Sequence, residues 1–289
     1  PSQPLPNATG SGVYLTLMRH GQSRWNARNR FTGWTDVKLT EQGEREAWAA
    51  GRLIGETRVR FEKAFTSELT RAKRTTDLVL SAMRATEVPV ETTWRLNERH
   101  YGGLTGLHKT ETMVTLGAER TMAMRRGREA PPPMTEAHPM WKHIAVGREN
   151  RFRSGELPSA ESLPACRERV WQFWRSTVVP TLGELLRETP PNKPRAPRGV
   201  LVVSHLHTIR LLIAELDGLD AAALFALEVP TAVPLVYEVD QKMVDFQLSL
   251  GAHASQDQFF CAASSPVKQT AATTTTKAGG VLKKNHGVS

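Results

Sequence analysis

The residues best equipped for chemistry sit in short polar stretches that follow apolar runs. Val13–Met18 leads into Arg19-His20-Gly21, and Gly199–Val203 leads into Ser204-His205. A histidine at a strand exit can give one ring nitrogen to a main-chain carbonyl and keep the other as a nucleophile. Arg19 offers planar donors suited to phosphoryl oxygens, and Gly21 lets the backbone come close to a ligand. A third run, Lys63–Ser67, leads into Glu68-Leu69-Thr70-Arg71. Arg71 then falls in the first turn of a helix whose N-terminus is itself an anion site. Each piece alone has a plainer reading, as a structural histidine or a solvated helix arginine. Three strand ends that turn His20, Arg71 and His205 toward one sheet edge point to phosphoryl transfer through a histidine.

Placing these residues requires alternating strands and helices. Val13–Met18 reads as a buried strand. Thr40 is the predicted N-cap of a helix with Ala47, Ala50, Leu53 and Ile54 on one face. Lys63–Ser67 reads as a strand. Leu69–Met83 reads as a helix, with Leu69, Ala72, Thr76, Leu80 and Met83 at three- and four-residue spacing. Ser162–Leu186 reads as one long helix, Gly199–Val203 as an all-apolar strand, and Thr208–Leu216 as the helix leaving it. Val236–Val239 and Phe246–Leu250 read as two more short strands. The alternation predicts an α/β three-layer sandwich, a mostly parallel central sheet flanked by helices on both faces. Ligands in such sheets bind at the carboxyl ends of the strands. The expected organisation is a flexible segment over 1–12, one catalytic domain over 13–250 and a low-complexity tail over 251–289. Thr273-Thr274-Thr275-Thr276 marks that tail.

Thirty-eight Lys and Arg against 29 Asp and Glu give a net charge of +9. That excess suits an anionic partner, either nucleic acid or a phosphorylated small molecule. It equally suits a soluble basic surface, because the charges are scattered. No aromatic-interleaved basic stripe supports nucleic acid, and no apolar run approaches the roughly 20 residues of a membrane span. Cys166 and Cys261 lie far apart without metal-like spacing, and no secretory or peroxisomal signal is read. A cytoplasmic, reducing location is therefore expected. No Walker loop, EF-hand or zinc-ligand spacing occurs, so no metal is expected. Two arginines and a histidine can neutralise the charge of phosphoryl transfer without one.

Arg19–Asn26, Phe31-Thr32-Gly33-Trp34, the Arg71 segment, Leu96-Asn97-Glu98-Arg99-His100-Tyr101-Gly102 and Pro230–Asp240 share a further property. Together they resemble the 2,3-bisphosphoglycerate-dependent phosphoglycerate mutases of the histidine phosphatase superfamily. Arg-His-Gly alone marks the superfamily, whereas Leu96–Gly102 and Pro234-Leu235-Val236-Tyr237-Glu238 point to the mutase branch. The resemblance implies that His20 is the phosphorylated nucleophile and Glu98 the proton donor and acceptor. It implies that Arg19, Arg71 and His205 hold the phosphoryl oxygens. Around the substrate it places Ser23, Asn26, Thr32, Gly33, Tyr101, Lys109, Arg125 and Arg126, with Asn26 contributing a hydrogen bond. It further implies a small phosphorylated acid as substrate, 2,3-bisphosphoglycerate as the priming cofactor, and a homo-oligomer, dimer or tetramer.

One stretch departs from that pattern. The family continues His-Gly-Asn after its second histidine, and the glycine and asparagine contact substrate. This chain reads His205-Leu206-His207-Thr208-Ile209-Arg210. Leu206 adds bulk and restricts the backbone beside the phosphate. His207 could donate to a phosphate as an amide would, or form a metal-like pair with His205. Three functions stay open on the residues: a mutase interconverting 3- and 2-phosphoglycerate, a phosphatase of small phosphorylated metabolites, and a non-catalytic binding protein. The C-terminal tail reads as a lid, a tether or an unstructured extension. Free His20 must be unprotonated to attack, so activity is expected to fall between pH 8 and pH 5.

Overall fold

The computed structural model describes residues 12–145, 158–188, 196–249 and 269–271. The expected flexible segment, apart from Gly12, and the expected tail, apart from 269–271, lie outside the described residues. The chain opens with β1 (Val13–Arg19), α1 (Arg24–Ala27), α2 (Glu41–Glu56), β2 (Arg60–Ser67), α3 (Thr70–Ala82) and β3 (Val90–Thr93). Three short helices follow: α4 (Lys109–Leu116), α5 (Ala118–Arg126) and α6 (Trp141–Ala145). Then come α7 (Leu163–Phe173), α8 (Val179–Glu188), β4 (Arg198–Ser204) and α9 (Leu206–Asp217). The last elements are α10 (Ala221–Ala226), β5 (Pro234–Val239), α11 (Gln241–Ser249) and β6 (Gln269–Ala271).

The strands form one sheet in the order β3-β2-β4-β1-β5-β6. The β3-β2, β2-β4 and β4-β1 pairs are parallel, and β5 and β6 are antiparallel additions. Both faces are covered, as a parallel sheet requires. Side chains of β1 show this by alternation: Val13, Leu15 and Leu17 enter one core, and Tyr14 and Met18 the other. The first core is closed by α7, α8 and α9 through residues such as Cys166, Leu182 and Leu212. The second is closed by Ala50 and Ile54 of α2 and Ala72, Val79 and Leu80 of α3. This is the three-layer α/β sandwich expected from the sequence.

Local signals explain most boundaries. The Thr40 hydroxyl accepts from the Gly43 N–H at 3.0 Å and starts α2. The Ser162 hydroxyl accepts from the Ala165 N–H at 3.2 Å and starts α7. The long helix predicted over Ser162–Leu186 runs through a π turn at Trp174–Val178. Pro180, just beyond, has no N–H to continue the ordinary ladder. One expected element is corrected: residues 246–249 are not a strand but the end of α11, and Leu250 lies outside the described residues. Asp240 caps that helix by accepting from the Met243 N–H at 2.7 Å. Met243, Val244 and Gln247 turn inward at helical spacing, and Gln247 accepts from Trp174 Nε1 at 3.0 Å.

Register then fixes the site. Arg19 of β1 pairs with Ser204 of β4, and Thr66 of β2 pairs with Val203 of β4. The next residues along each strand, His20, His205 and Ser67, must therefore emerge side by side at the carboxyl edge of the sheet.

Candidate active site

His20 is buried, 3% exposed, and its Nδ1 lies 2.6 Å from the carbonyl oxygen of Gly21. A carbonyl only accepts, so Nδ1 carries the hydrogen and Nε2 keeps its lone pair. Arg71 Nε donates to that Nε2 at 3.3 Å. Burial, then the charges of Arg71 and Arg19, push His20 well below its ordinary value. At neutral pH the ring is therefore uncharged. Gly21 serves packing as much as ligand approach, because a Cβ there would lie 2.2 Å from the Gly43 carbonyl at the start of α2.

Arg71, in the first turn of α3, is held by two carbonyls. Its Nη1 donates to Thr35 O at 2.9 Å and its Nη2 to Gly33 O at 2.8 Å. Gly33 takes φ +54, and a Cβ there would lie 3.0 Å from the Tyr101 amide. The His205 ring lies 4.9 Å from that of His20, and its Nε2 is 2.7 Å from the Ser67 hydroxyl. That hydroxyl hydrogen has no other acceptor among the described residues, which leaves the proton of neutral His205 on Nδ1. Among the described residues His205 Nδ1 and Arg19 Nε are both buried without a partner. Arg19 Nη1 donates to Val229 O at 2.9 Å. Two unused buried donors beside a neutral imidazole suit an anion.

Glu98 follows β3 and a single 3-10 turn at Trp94–Leu96. Its loop is stapled through its carbonyls. Ser204 Oγ donates to Leu96 O at 2.7 Å, Thr208 Oγ1 to Asn97 O at 2.9 Å and Trp34 Nε1 to Glu98 O at 2.6 Å. Arg169 of α7 donates to the carbonyls of Arg95, Asn97 and Glu98 while paired with Glu161 at 2.5 Å. The Glu98 Oε1 accepts from the main-chain N–H of Arg99 at 2.8 Å and of His207 at 3.2 Å. Burial alone would raise the Glu98 carboxyl, but His207 against Oε1 and the main-chain N–H of Arg99 outweigh it and hold it well below its ordinary range.

The structure gathers the other expected residues unevenly. Tyr101 is buried, with its hydroxyl 3.5 Å from His207 Nδ1. Burial pushes its phenol up to about 12. Burial, then Arg125 and Arg19, push Lys109 down to about 8. Lys109, Arg125 and Arg19 thus form one cationic neighbourhood. Arg126 has two partners, donating to Phe225 O at 2.8 Å and to Glu228 at 2.6 Å. Thr32 is buried beside Gly33. Ser23 and Asn26 form a capping box on α1, in which the Ser23 hydroxyl donates to Asn26 Oδ1 at 2.8 Å. The Asn26 amide nitrogen has no hydrogen-bond partner among the described residues. His205 and His207 face different partners, and among the described residues no three His, Cys, Asp or Glu side chains converge as a metal would need.

Sequence reading missed Arg169, Glu161 and Arg99. Arg169 carried a signal, since it lies on the apolar face marked by Leu163, Cys166, Val170 and Phe173. Arg99 donates to Glu161 O at 3.1 Å and Met124 O at 2.5 Å, joining the Glu98 loop to α5.

A parallel sheet that brings two histidines and an arginine together at its carboxyl edge defines a class. The model of the histidine phosphatase superfamily (branch 1) matches residues 15–143 and 133–249. The chain belongs to this superfamily. It is 42% identical over 229 residues to a 2,3-bisphosphoglycerate-dependent phosphoglycerate mutase of Sphingopyxis alaskensis, covering 79% of this chain and 94% of that one. The same identity and coverage relate it to the protein of that name from Zymomonas mobilis. Among solved structures it is similar to the alpha-ribazole phosphatase of Shigella flexneri, at 25% identity and a TM-score of 0.54, covering 79% of this chain and 92% of that chain. A mycobacterial glucosyl-3-phosphoglycerate phosphatase shares the fold at 23% identity and a TM-score of 0.58, covering 80% of this chain and 93% of that chain.

Proposed function

We propose that this enzyme is a 2,3-bisphosphoglycerate-dependent phosphoglycerate mutase that interconverts 3- and 2-phosphoglycerate through a phosphohistidine. The 42% identity to mutases along 94% of their length supports the substrate class. The observation that carries the mechanism is the lone pair on His20 Nε2, fixed there by the Nδ1 contact with Gly21 O.

His20 Nε2 takes the phosphoryl group while Arg71, Arg19 and His205 Nδ1 donate to its oxygens. Those buried donors need no reorganisation as charge develops. Glu98, ionised at rest, takes the proton of the hydroxyl that receives the phosphoryl group from His20 and returns it to the ester oxygen that leaves next. Lys109 and Arg125 face the substrate carboxylate, with Tyr101, Thr32, Gly33, Ser23 and Asn26 lining the approach. Arg126 acts on that wall through Glu228 and Phe225 rather than by contact. 2,3-Bisphosphoglycerate supplies the first phosphoryl group, and the unused donors of His205 and Arg19 fit it. The expected homo-oligomer belongs to the same proposal.

Purified protein supplied with 3-phosphoglycerate and catalytic bisphosphoglycerate should produce 2-phosphoglycerate, read by NMR. No 2-phosphoglycerate with or without the primer would contradict the proposal. The Leu206-His207 departure favours a second reading, a phosphatase, and inorganic phosphate released faster than isomerisation would establish it.

A further inference from the structure

His207 is the site histidine that the family pattern leaves without a role, and its contacts restrict where protons can sit. Its Nε2 lies 3.0 Å from the Arg125 carbonyl oxygen, which only accepts, so Nε2 carries a hydrogen. Its Nδ1 lies 3.1 Å from Glu98 Oε1. An imidazole protonated only at Nε2 presents a lone pair at Nδ1, and an ionised carboxylate presents lone pairs too. Two buried lone pairs do not meet at hydrogen-bond distance, so one proton must lie in this contact. Oε1 already accepts from the Arg99 and His207 amides. Those donors favour the ionised oxygen and leave the proton on the imidazole.

We propose that His207 is a positioning residue for Glu98: it holds one proton against Oε1, so that Oε2 alone exchanges protons with the reacting oxygen. The proposal rests on the acid-base reading of Glu98 given above. Among the described residues Glu98 Oε2 has no hydrogen-bond partner, which suits that division of labour. In the resting site the pair holds one proton, as imidazolium and carboxylate. When a substrate hydroxyl accepts the phosphoryl group from His20, its proton passes to Oε2 and the pair holds two. When the oxygen of a phosphate ester leaves, that second proton returns to it and the carboxylate is restored.

The surroundings bear on this from every side. Arg99 and Tyr101 face His207 from the Glu98 loop, and Arg210 faces it from its own helix. Arg19 from β1, Lys109 from α4 and Arg169 from α7 add positive charge that acts on Glu98. Burial works against a charge on His207 and Glu98 works for it, so the two groups titrate as one unit rather than separately.

The full chain carrying 15N-histidine and 13C-glutamate tests this by NMR at pH 7. His207 should show hydrogens on both ring nitrogens beside an ionised Glu98, and Glu98→Gln should convert it to the neutral form protonated at Nε2. A neutral His207 beside a protonated Glu98 would also support the held proton. A neutral His207 beside an ionised Glu98 would overturn it. These spectra need no turnover, so loss of the mutase reading and loss of the proton are separate outcomes. In folded His207→Asn, an amide replaces the cation, and the ionisation of Glu98 in the pH profile of kcat/KM should move up by about one unit or more. An unchanged profile in that variant would count against the role.

Discussion

The two ends of the site are built in opposite ways. At the phosphoryl end every group is tied to the main chain or to a buried neighbour. His20 is held by Gly21 O, Arg71 by Gly33 O and Thr35 O, and His205 by Ser67. At the other end Lys109 and Arg125 rise from α4 and α5, and neither has a carboxylate partner among the described ion pairs. Burial and mutual repulsion push Lys109 down to about 8. One end is preorganised for a transition state; the other stores unneutralised charge that a ligand carboxylate would relieve. On the proposed function, chemistry belongs to the first end and substrate choice to the second.

The largest effect should come from the brace between the ends. Arg169 and Glu161 are buried, with side chains 6% and 5% exposed, and their pair clamps the Glu98 loop. Arg169→Met leaves Glu161 buried without its partner, and stability measured by urea unfolding should fall by about 3–5 kcal/mol. A loss under about 1 kcal/mol would mean that the loop stands without the clamp.

The adaptable end can be dissected with its two adjacent arginines. Arg125→Ala should raise KM about tenfold with a smaller change in kcat, as expected for lost ground-state binding. Arg126→Ala should change KM only about twofold, because its guanidinium is committed to Glu228 and Phe225 O. Equal effects would erase the distinction between them.

A smaller effect follows from Lys109. Free Lys109 is charged below about 8 and loses its proton above it. KM should therefore climb by a few-fold between pH 7 and pH 9, and Lys109→Met should flatten that climb. A rise that persists in the variant would assign it to another group.

The sequence displayed the rigid end better than the adaptable one. His20, Arg71 and His205 were legible because each follows an apolar run, and parallel register then sets strand ends side by side. Glu98 was reached only through resemblance, since it sits in a loop whose position depends on staples from Trp34, Arg169, Ser204 and Thr208. Arg169 showed only as a charge on an apolar helix face, and its clamping role needed the placement of its partner Glu161. Arg125 and Arg126 are equivalent in sequence, and only the position of Glu228 separates them. The mistaken strand over 246–250 has a similar cause. Phe246, Leu248 and Leu250 alternate like a strand, whereas the buried face is carried by Met243, Val244 and Gln247, and Leu248 is 52% exposed. The His207 contact with Glu98 joins residues 109 positions apart, and no spacing rule reaches that far.

The central claim is that His20 Nε2 accepts the phosphoryl group, and it can be read directly. After brief incubation with 2,3-bisphosphoglycerate, 31P NMR and mass spectrometry should find one acid-labile phosphate on His20, bonded at Nε2. It should be absent in His20→Ala and discharged by added 3-phosphoglycerate. A folded wild-type protein that turns over phosphoglycerate with no phosphate on His20, or with phosphate on another residue, would contradict the account.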